Sequence, residues 1–326
     1  MNKLYPLKFN TIYKDKIWGG QKIRTFLGKE FSPLPNCGET WEVSGVAGNV
    51  SVVKNGSLSG TDLNTLIEKY PNELLGRSVF NRFGSVFPLL IKFIDANEDL
   101  SIQVHPDDVL AKQRHNFFGK TEMWYVLEAD PGATLISGFS EEVDRQKYLE
   151  KFKEGKLTDI LNREEVAQGD LFFLPAGRVH TIGKGLLIAE IQQSSDITYR
   201  IYDFDRVDDK GQKRELHTEE ALDAIDYNHY SEYKSRYERE ANRLNPMIDC
   251  EYFSTNFIQL EGAMERSYET LDSFKILVTV DGSFMLSYDD GVLECELGDC
   301  VLIPADLKHI SLETSGAAKI LETFIS

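Results

Sequence analysis

The chain has 326 residues, 41% of them hydrophobic, four cysteines and a formal net charge of −17. That length supports two domains of ordinary size, each burying its own core. The negative charge argues against general nucleic-acid binding, and no apolar run approaches the roughly 20 residues that cross a bilayer.

Charge and proline interrupt the N-terminus before an apolar signal-peptide segment can form, so a cytoplasmic location is expected. Residues 1–80 alternate short β-prone runs with turn signals at Trp18-Gly19-Gly20, Asn36-Cys37-Gly38 and Lys54-Asn55-Gly56, and read as strands and loops packed on the rest. One helix is expected over 61–70, with Thr61 or Asp62 capping Leu63, Leu66 and Ile67. Apolar density then rises at Val86 to Ile94, Ser101 to His105 and Met123 to Leu127, the core strands of a first β-unit over 81–204. Within it, residues 140–165 change to a helical period through Val143, Tyr148, Leu149, Phe152, Leu157, Ile160 and Leu161, which reads as a helical insert. Strands resume at Gly169 to Leu174 and Gly185 to Gln192. A charged connector follows over 205–247, with a helix beginning at a possible cap, Thr218. A second β-unit occupies 248–326. The cysteines Cys37, Cys250, Cys295 and Cys300 are scattered and read as buried free thiols.

The two β-units share a signature. Gly169, Pro175 and His180 recur as Gly298, Pro304 and His309, each displaced by 129 residues. In this Gx5PxGx2H run a strand starts at Gly169 and stops at Pro175, which cannot donate to a sheet ladder, and Gly177 permits a turn closed to most residues. His180 then opens the next strand facing inward. Gln103 and His105 stand two apart, so both point to one face of a strand. With Glu122 and His180 they offer two imidazoles, one carboxylate and one amide oxygen, a donor set suited to a divalent metal such as zinc. No matching cluster precedes His309, where Asp306 replaces the glycine, so His309 is expected to be structural or solvent-facing. His115, His217 and His229 sit among charged neighbours and are expected at exposed positions.

This combination resembles the cupin superfamily, with Gln103 in place of the first histidine of its metal motif. The segment Ser101-Ile-Gln-Val-His-Pro-Asp107 resembles one group within it, the type I mannose-6-phosphate isomerases in their short bacterial form. The similarity extends through Tyr13 to Gly20, Gly38-Glu39-Thr-Trp41, Leu89 to Lys92, Lys120-Thr-Glu122-Met123 and Asp196-Ile-Thr-Tyr-Arg200, over nearly the whole chain. It implies a mainly β fold of two cupin-type jelly-roll barrels, only the first holding one Zn2+, through Gln103, His105, Glu122 and His180. It also implies a phosphorylated hexose as substrate and an aldose–ketose isomerisation between mannose 6-phosphate and fructose 6-phosphate through an enediolate.

On that resemblance Arg200 and Lys120 stabilise anionic oxygen, Trp18 and Glu39 line the substrate site, and Ser101, Lys92 and Arg206 contact phosphate. Arg206 stands where the family tends to carry lysine, so the charge is kept but the geometry changes. The base is open between a metal-bound water, Asp196 and Glu39. The donor set also fits a cupin iron oxygenase, and a third reading is a sugar-binding cupin without turnover. A monomer or weak homo-oligomer is expected, with no nucleic-acid or membrane partner.

Overall fold

The structure is a computed structural model that describes residues 3–207, 211–289 and 291–326. It is mainly β, with few helices, arranged in three sheets. A five-stranded sheet runs in the order Tyr199–Tyr202, Ile102–Val104, His180–Ile182, Thr134–Phe139 and Leu161–Glu165. A seven-stranded sheet runs Lys234–Ser235, Leu171–Leu174, Glu122–Ala129, Leu186–Gln193, Leu89–Ala96, Glu39–Val43 and Ile12–Lys14. The third, also seven-stranded, holds Leu7–Lys8, Cys300–Ile303, Lys275–Tyr288, His309–Phe324, Ser254–Ser267 and Asn245–Asp249, with Gly291–Glu296 paired to Lys275–Tyr288.

The middle sheet is covered on both faces. Alternation sends Trp124, Val126, Ile94 and Ile188 toward the five-stranded sheet, where they meet Leu135, Ile182, Leu100 and Trp18. Their neighbours Met123, Tyr125, Leu127, Ile91 and Ala189 face the other way, onto Phe257, Ile276 and Leu321 of the C-terminal sheet and onto Phe274 just before its strand Lys275–Tyr288. Every residue of Leu89–Ala96 and Leu186–Gln193 is therefore buried, which explains why these antiparallel strands carry apolar residues at adjacent positions rather than alternating ones, with charges at Lys92, Asp95 and Glu190. The C-terminal sheet also has an interior of its own, formed by Ile258, Leu277, Phe284, Leu312 and Ile320.

Several local expectations hold. Helix Leu63–Lys69 is capped by Asp62, whose side chain accepts from the Thr65 amide. Helix Arg145–Lys153 falls within the stretch 140–165 that carries a helical period. Residues Leu161–Glu165, however, form a strand rather than a helix: they pair with Thr134–Phe139 at the sheet edge, alternating buried and exposed positions. Thr218 opens helix Thr218–Ala224 from inside, with His217 at the capping position, so it is not the cap. Two further helices, Pro71–Leu75 and Arg77–Phe83, fall in the region read as loops. Strands Lys234–Ser235 and Asn245–Asp249 lie within or across the end of the stretch expected to be a connector, 205–247, and Leu7–Lys8 joins the C-terminal sheet, far from its neighbours in sequence. Cys37, Cys295 and Cys300 are buried free thiols, while Cys250 is half-buried. No helix among the described residues is long and apolar enough to cross a membrane.

The 129-residue echo is a repeated hydrogen-bonded frame. Gly169 and Gly298 share a φ of +85°, in the region that favours glycine. The Gly169 amide donates to Val126 O at 2.8 Å, and the Gly298 amide to Thr279 O at 2.9 Å. The turn bond from Arg178 N to Pro175 O recurs from Leu307 N to Pro304 O. Glu122 lies opposite Leu174, and Lys275 opposite Ile303, so the register place of Glu122 in the first frame belongs to Lys275 in the second.

Candidate active site

Gln103 and His180 stand opposite each other on the five-stranded sheet, with Arg200 across from Gln103 on the next strand. Glu122, Lys92 and Glu190 project from the middle sheet toward them. Among the described residues, one group of metal-ligating side chains converges: His105, Glu122 and His180, all buried, whose donor atoms lie within 4.8 Å of one another. The Nε2 atoms of His105 and His180 stand 3.6 and 3.4 Å from the Glu122 carboxylate. Each ring donates through Nδ1 to a backbone carbonyl, His105 to Ile197 O at 2.9 Å and His180 to Arg178 O at 2.8 Å. That arrangement turns both Nε2 lone pairs toward the site. Gln103 completes the set, with its amide 3.3 Å from His180 Nε2.

Burial, aided by the Lys120 charge, holds both imidazoles below their ordinary range, His180 down to about 3. They are neutral, as metal ligands must be. Burial and then repulsion from Glu190 raise Glu122 well above the usual carboxylate range. Neither Glu122 oxygen accepts a well-aligned hydrogen bond; the carboxylate has Lys120 Nζ at 2.6 Å as an ion pair. Lys120 Nζ also lies 3.1 Å from His105 Nε2, so an ammonium stands where a cation belongs. A buried carboxylate that accepts no well-aligned hydrogen bond, set between two neutral imidazoles, fits a divalent metal.

Above this cluster lies a cavity of about 330 Å³, in the range of small-ligand sites. Trp18, Glu39, Lys92, Ser101, Gln103, Lys120, Asp196 and Arg200 all line it. Arg206 does not: its guanidinium donates to Asp203 and to Asp99 O. A larger cavity of about 520 Å³, walled by Lys22, Asp95 and Asp130, holds no such donor cluster, so volume alone does not locate the chemistry.

Sequence reading missed Glu190, Trp41, Lys16 and Arg214, which share the lining. Glu190 receives Lys92 Nζ at 3.0 Å and Trp124 Nε1 at 2.8 Å. Burial opposes its ionisation, but Lys120 and Lys92 outweigh that and hold it well below the usual range. A charge inside the apolar run Leu186–Gln193 was the available signal. Glu39 is likewise held ionised: burial raises it, and Lys92, Lys16 and the Trp41 indole more than offset this. Outside the site, His309 is exposed and bonded to Glu269. His115 and His229 are exposed, and His217 is half-buried, its Nδ1 accepting from the Arg200 amide.

Residues 6–133 match the family described as phosphomannose isomerase type I, catalytic domain, and residues 243–322 match the mannose-6-phosphate isomerase cupin domain. A probable mannose-6-phosphate isomerase of Bacillus subtilis, GmuF, is 36% identical over 95% of this chain and 96% of its own length. The chain belongs to the type I mannose-6-phosphate isomerase family. Within this family the mannose-6-phosphate isomerase of Streptococcus mutans is 44% identical over 68% of this chain and 67% of its own. The crystal structure of the Bacillus subtilis mannose 6-phosphate isomerase superposes with a TM-score of 0.88 at 32% identity, covering 98% of this chain and 99% of that one. The fold also matches a phosphomannose isomerase variant from Salmonella typhimurium, with a TM-score of 0.80 at 16% identity, over 98% of this chain and 100% of that one.

Proposed function

We propose that this chain interconverts mannose 6-phosphate and fructose 6-phosphate, with one zinc ion held by Gln103, His105, Glu122 and His180. The observation that carries this is the buried, cation-ready His105–Glu122–His180 cluster directly behind Gln103 and Lys120 of a polar cavity, in a chain of this family. When bound, the metal polarises the sugar oxygens on C1 and C2 and disperses the charge that develops as the enediolate forms. Lys120 and Arg200 line the same cavity and supply positive charge to those oxygens. Trp18 walls the sugar, and Glu39, already bound to Trp41 and Lys16, orients its hydroxyls.

The proton moving between C2 and C1 is assigned to Asp196. This carboxylate lines the cavity and forms no salt bridge among the described residues, whereas Glu39 and Glu190 are held ionised by lysines and are weaker bases. The fold proposal is two cupin-type barrels derived from one repeated unit, over about 81–204 and 248–326, joined by the 205–247 connector, with the first 80 residues packed on both. The relatives matched are isomerases and lend no support to an oxygenase or a binding-only protein.

A coupled assay that follows fructose 6-phosphate formed from mannose 6-phosphate tests the reading. Turnover that chelator abolishes and zinc restores is expected. Absence of turnover in the zinc-loaded protein would sink the function, and activity surviving complete metal removal would sink the metal assignment.

A further inference from the structure

The segment that carries Lys120 and Glu122 into the site is gripped from three directions, each time by a stretch that also delivers another member of the site. The Lys120 amide donates to Pro106 O at 3.1 Å, one residue past His105. Thr121 Oγ1 accepts the Ala176 amide at 3.2 Å, in the turn that leads to His180. The third grip is two-sided: Gln193 Oε1 accepts the Thr121 amide at 2.7 Å, and the Gln193 amide donates to Thr121 O at 3.1 Å. Gln193 is held in turn by Asp108, whose Oδ1 accepts both Gln193 Nε2 at 3.1 Å and the Gly119 amide at 2.7 Å.

We propose that Gln193 and Asp108 are positioning residues for the isomerisation, acting on turnover through the backbone of residues 119–121. The proposal rests on the isomerase reading above and concerns two side chains that lie outside the cavity lining but set the geometry of Lys120 within it.

The fit leaves little slack. An added Cβ at Gly119 would stand 2.6 Å from Asp107 C and Asp108 N and 2.8 Å from Pro106 O, so the two stretches touch backbone to backbone. Thr121 and Gln193 are both buried, and a buried amide deprived of its acceptor loses more than the bond returns in water. Lys120 and Glu122 flank Thr121, and Lys120 Nζ stands 2.6 Å from Glu122 and 3.1 Å from His105 Nε2, so a displacement at Thr121 reaches both side chains. Gln193 also opens the turn that carries Asp196. There Gln192 Nε2 donates to Gln193 O at 2.7 Å and to Ser195 O at 2.5 Å, and Ser195 Oγ returns to Phe118 O at 3.0 Å. The lysine assigned to the developing charge and the carboxylate assigned to the proton are thus fastened to one frame. Its outer end is closed by Tyr252, just before strand Ser254–Ser267: burial and then the Asp108 charge push this hydroxyl above its ordinary range, as a phenol set against that carboxylate requires.

The test compares wild type with Gln193→Leu, Asp108→Ala and Asp108→Asn at saturating zinc. Three quantities are read: steady-state kinetics on mannose 6-phosphate, bound zinc, and hydrogen–deuterium exchange of the Thr121 amide. Gln193→Leu removes both side-chain bonds at nearly constant volume. It should lower kcat roughly 10- to 100-fold while KM stays within about threefold and bound zinc is unchanged. Exchange at Thr121 should speed by more than about tenfold. Asp108→Ala should act in the same direction and more weakly, lowering kcat roughly 3- to 10-fold, because it loosens Gln193 without removing it. Asp108→Asn keeps an oxygen acceptor and should return to within about twofold of wild type. The proposal is overturned if Gln193→Leu keeps kcat within about twofold of wild type, if it loses kcat only in step with zinc, or if Asp108→Asn is as impaired as Asp108→Ala. Should wild type fail to isomerise mannose 6-phosphate while Thr121 exchange still separates the variants, the isomerase reading falls and the clamp on Lys120 stands. If Gln193→Leu does not fold, Asp108→Ala decides from its half-buried position: kcat and Thr121 exchange both within about twofold of wild type count against the proposal.

Discussion

At the scale of single residues, the site sorts two buried glutamates into opposite states. Glu190 keeps its charge because Lys120, Lys92 and the Trp124 indole outweigh burial; for Glu122, burial and the repulsion from Glu190 outweigh Lys120 and Lys92. In the metal-free protein the folded-state pKa of Glu122 lies above its unfolded value. The folded chain therefore holds a proton that the unfolded chain has lost, and this contribution to stability disappears as pH rises from the carboxylate range toward neutrality. Glu122→Gln should flatten that slope in urea unfolding of the chelated protein; an unchanged slope would contradict the assignment. His180→Ala should lose zinc by elemental analysis, whereas His309→Ala should keep it, since the His309 side chain is exposed and bonded to Glu269. The metal-capable group His105, Glu122 and His180 was legible because two of its members carry local signals: His105 stands two residues from Gln103 on a strand, and His180 holds a fixed place after a Gly-Pro turn. Glu190 and Arg214 were not, because their partners, Lys92 and Asp203, stand on other strands or across a charged loop.

Among elements, the turn Pro175–His180 couples sheet geometry to the site. Gly177 has φ +90°, its amide donates to His105 O at 2.9 Å, and an added Cβ would meet Ala224 O at 3.0 Å. Gly177→Ala should therefore cost roughly 1–3 kcal/mol through strain and also weaken zinc binding, read by a competing chelator; loss of stability with unchanged zinc affinity would separate turn from site. Elements with self-contained signals were readable. Helix Leu63–Lys69 announces itself through Asp62, and the apolar runs became core strands. Helix Arg77–Phe83 did not, since the amides of Arg77 and Ser78 are received by Asp272, nearly 200 residues away. Strand Leu161–Glu165 follows directly on the helix-like spacing of Leu157, Ile160 and Leu161 but found a free edge beside Thr134–Phe139, and pairing outweighed periodicity.

Across the whole molecule, the middle sheet serves both interiors, one face toward the metal cluster and the other toward the C-terminal sheet. Ligand binding at one face should then stabilise the folded chain as a unit. Chelation is expected to lower the unfolding temperature, and excess zinc to restore it in proportion to the logarithm of its free concentration. A chelator-insensitive transition in the zinc-loaded protein would argue against a structural contribution from the site.

The second frame follows a different variable. Lys275, in the register place of Glu122, is fully buried and donates to Pro304 O at 3.1 Å and Leu307 O at 3.0 Å, tying down the turn that in the first frame precedes a ligand. Burial, reinforced by Lys308, lowers its pKa to about 7. Here the unfolded chain binds the extra proton, so stability should rise with pH from about 7 toward the ordinary lysine range, and Lys275→Met should remove that rise in urea unfolding at pH 7 and 9. The two frames thus impose separate linkages on one folding equilibrium. With metal bound, one half answers to the chemical potential of that ion, while the other answers to the proton in a range above neutrality, where Glu122 of the first half no longer titrates.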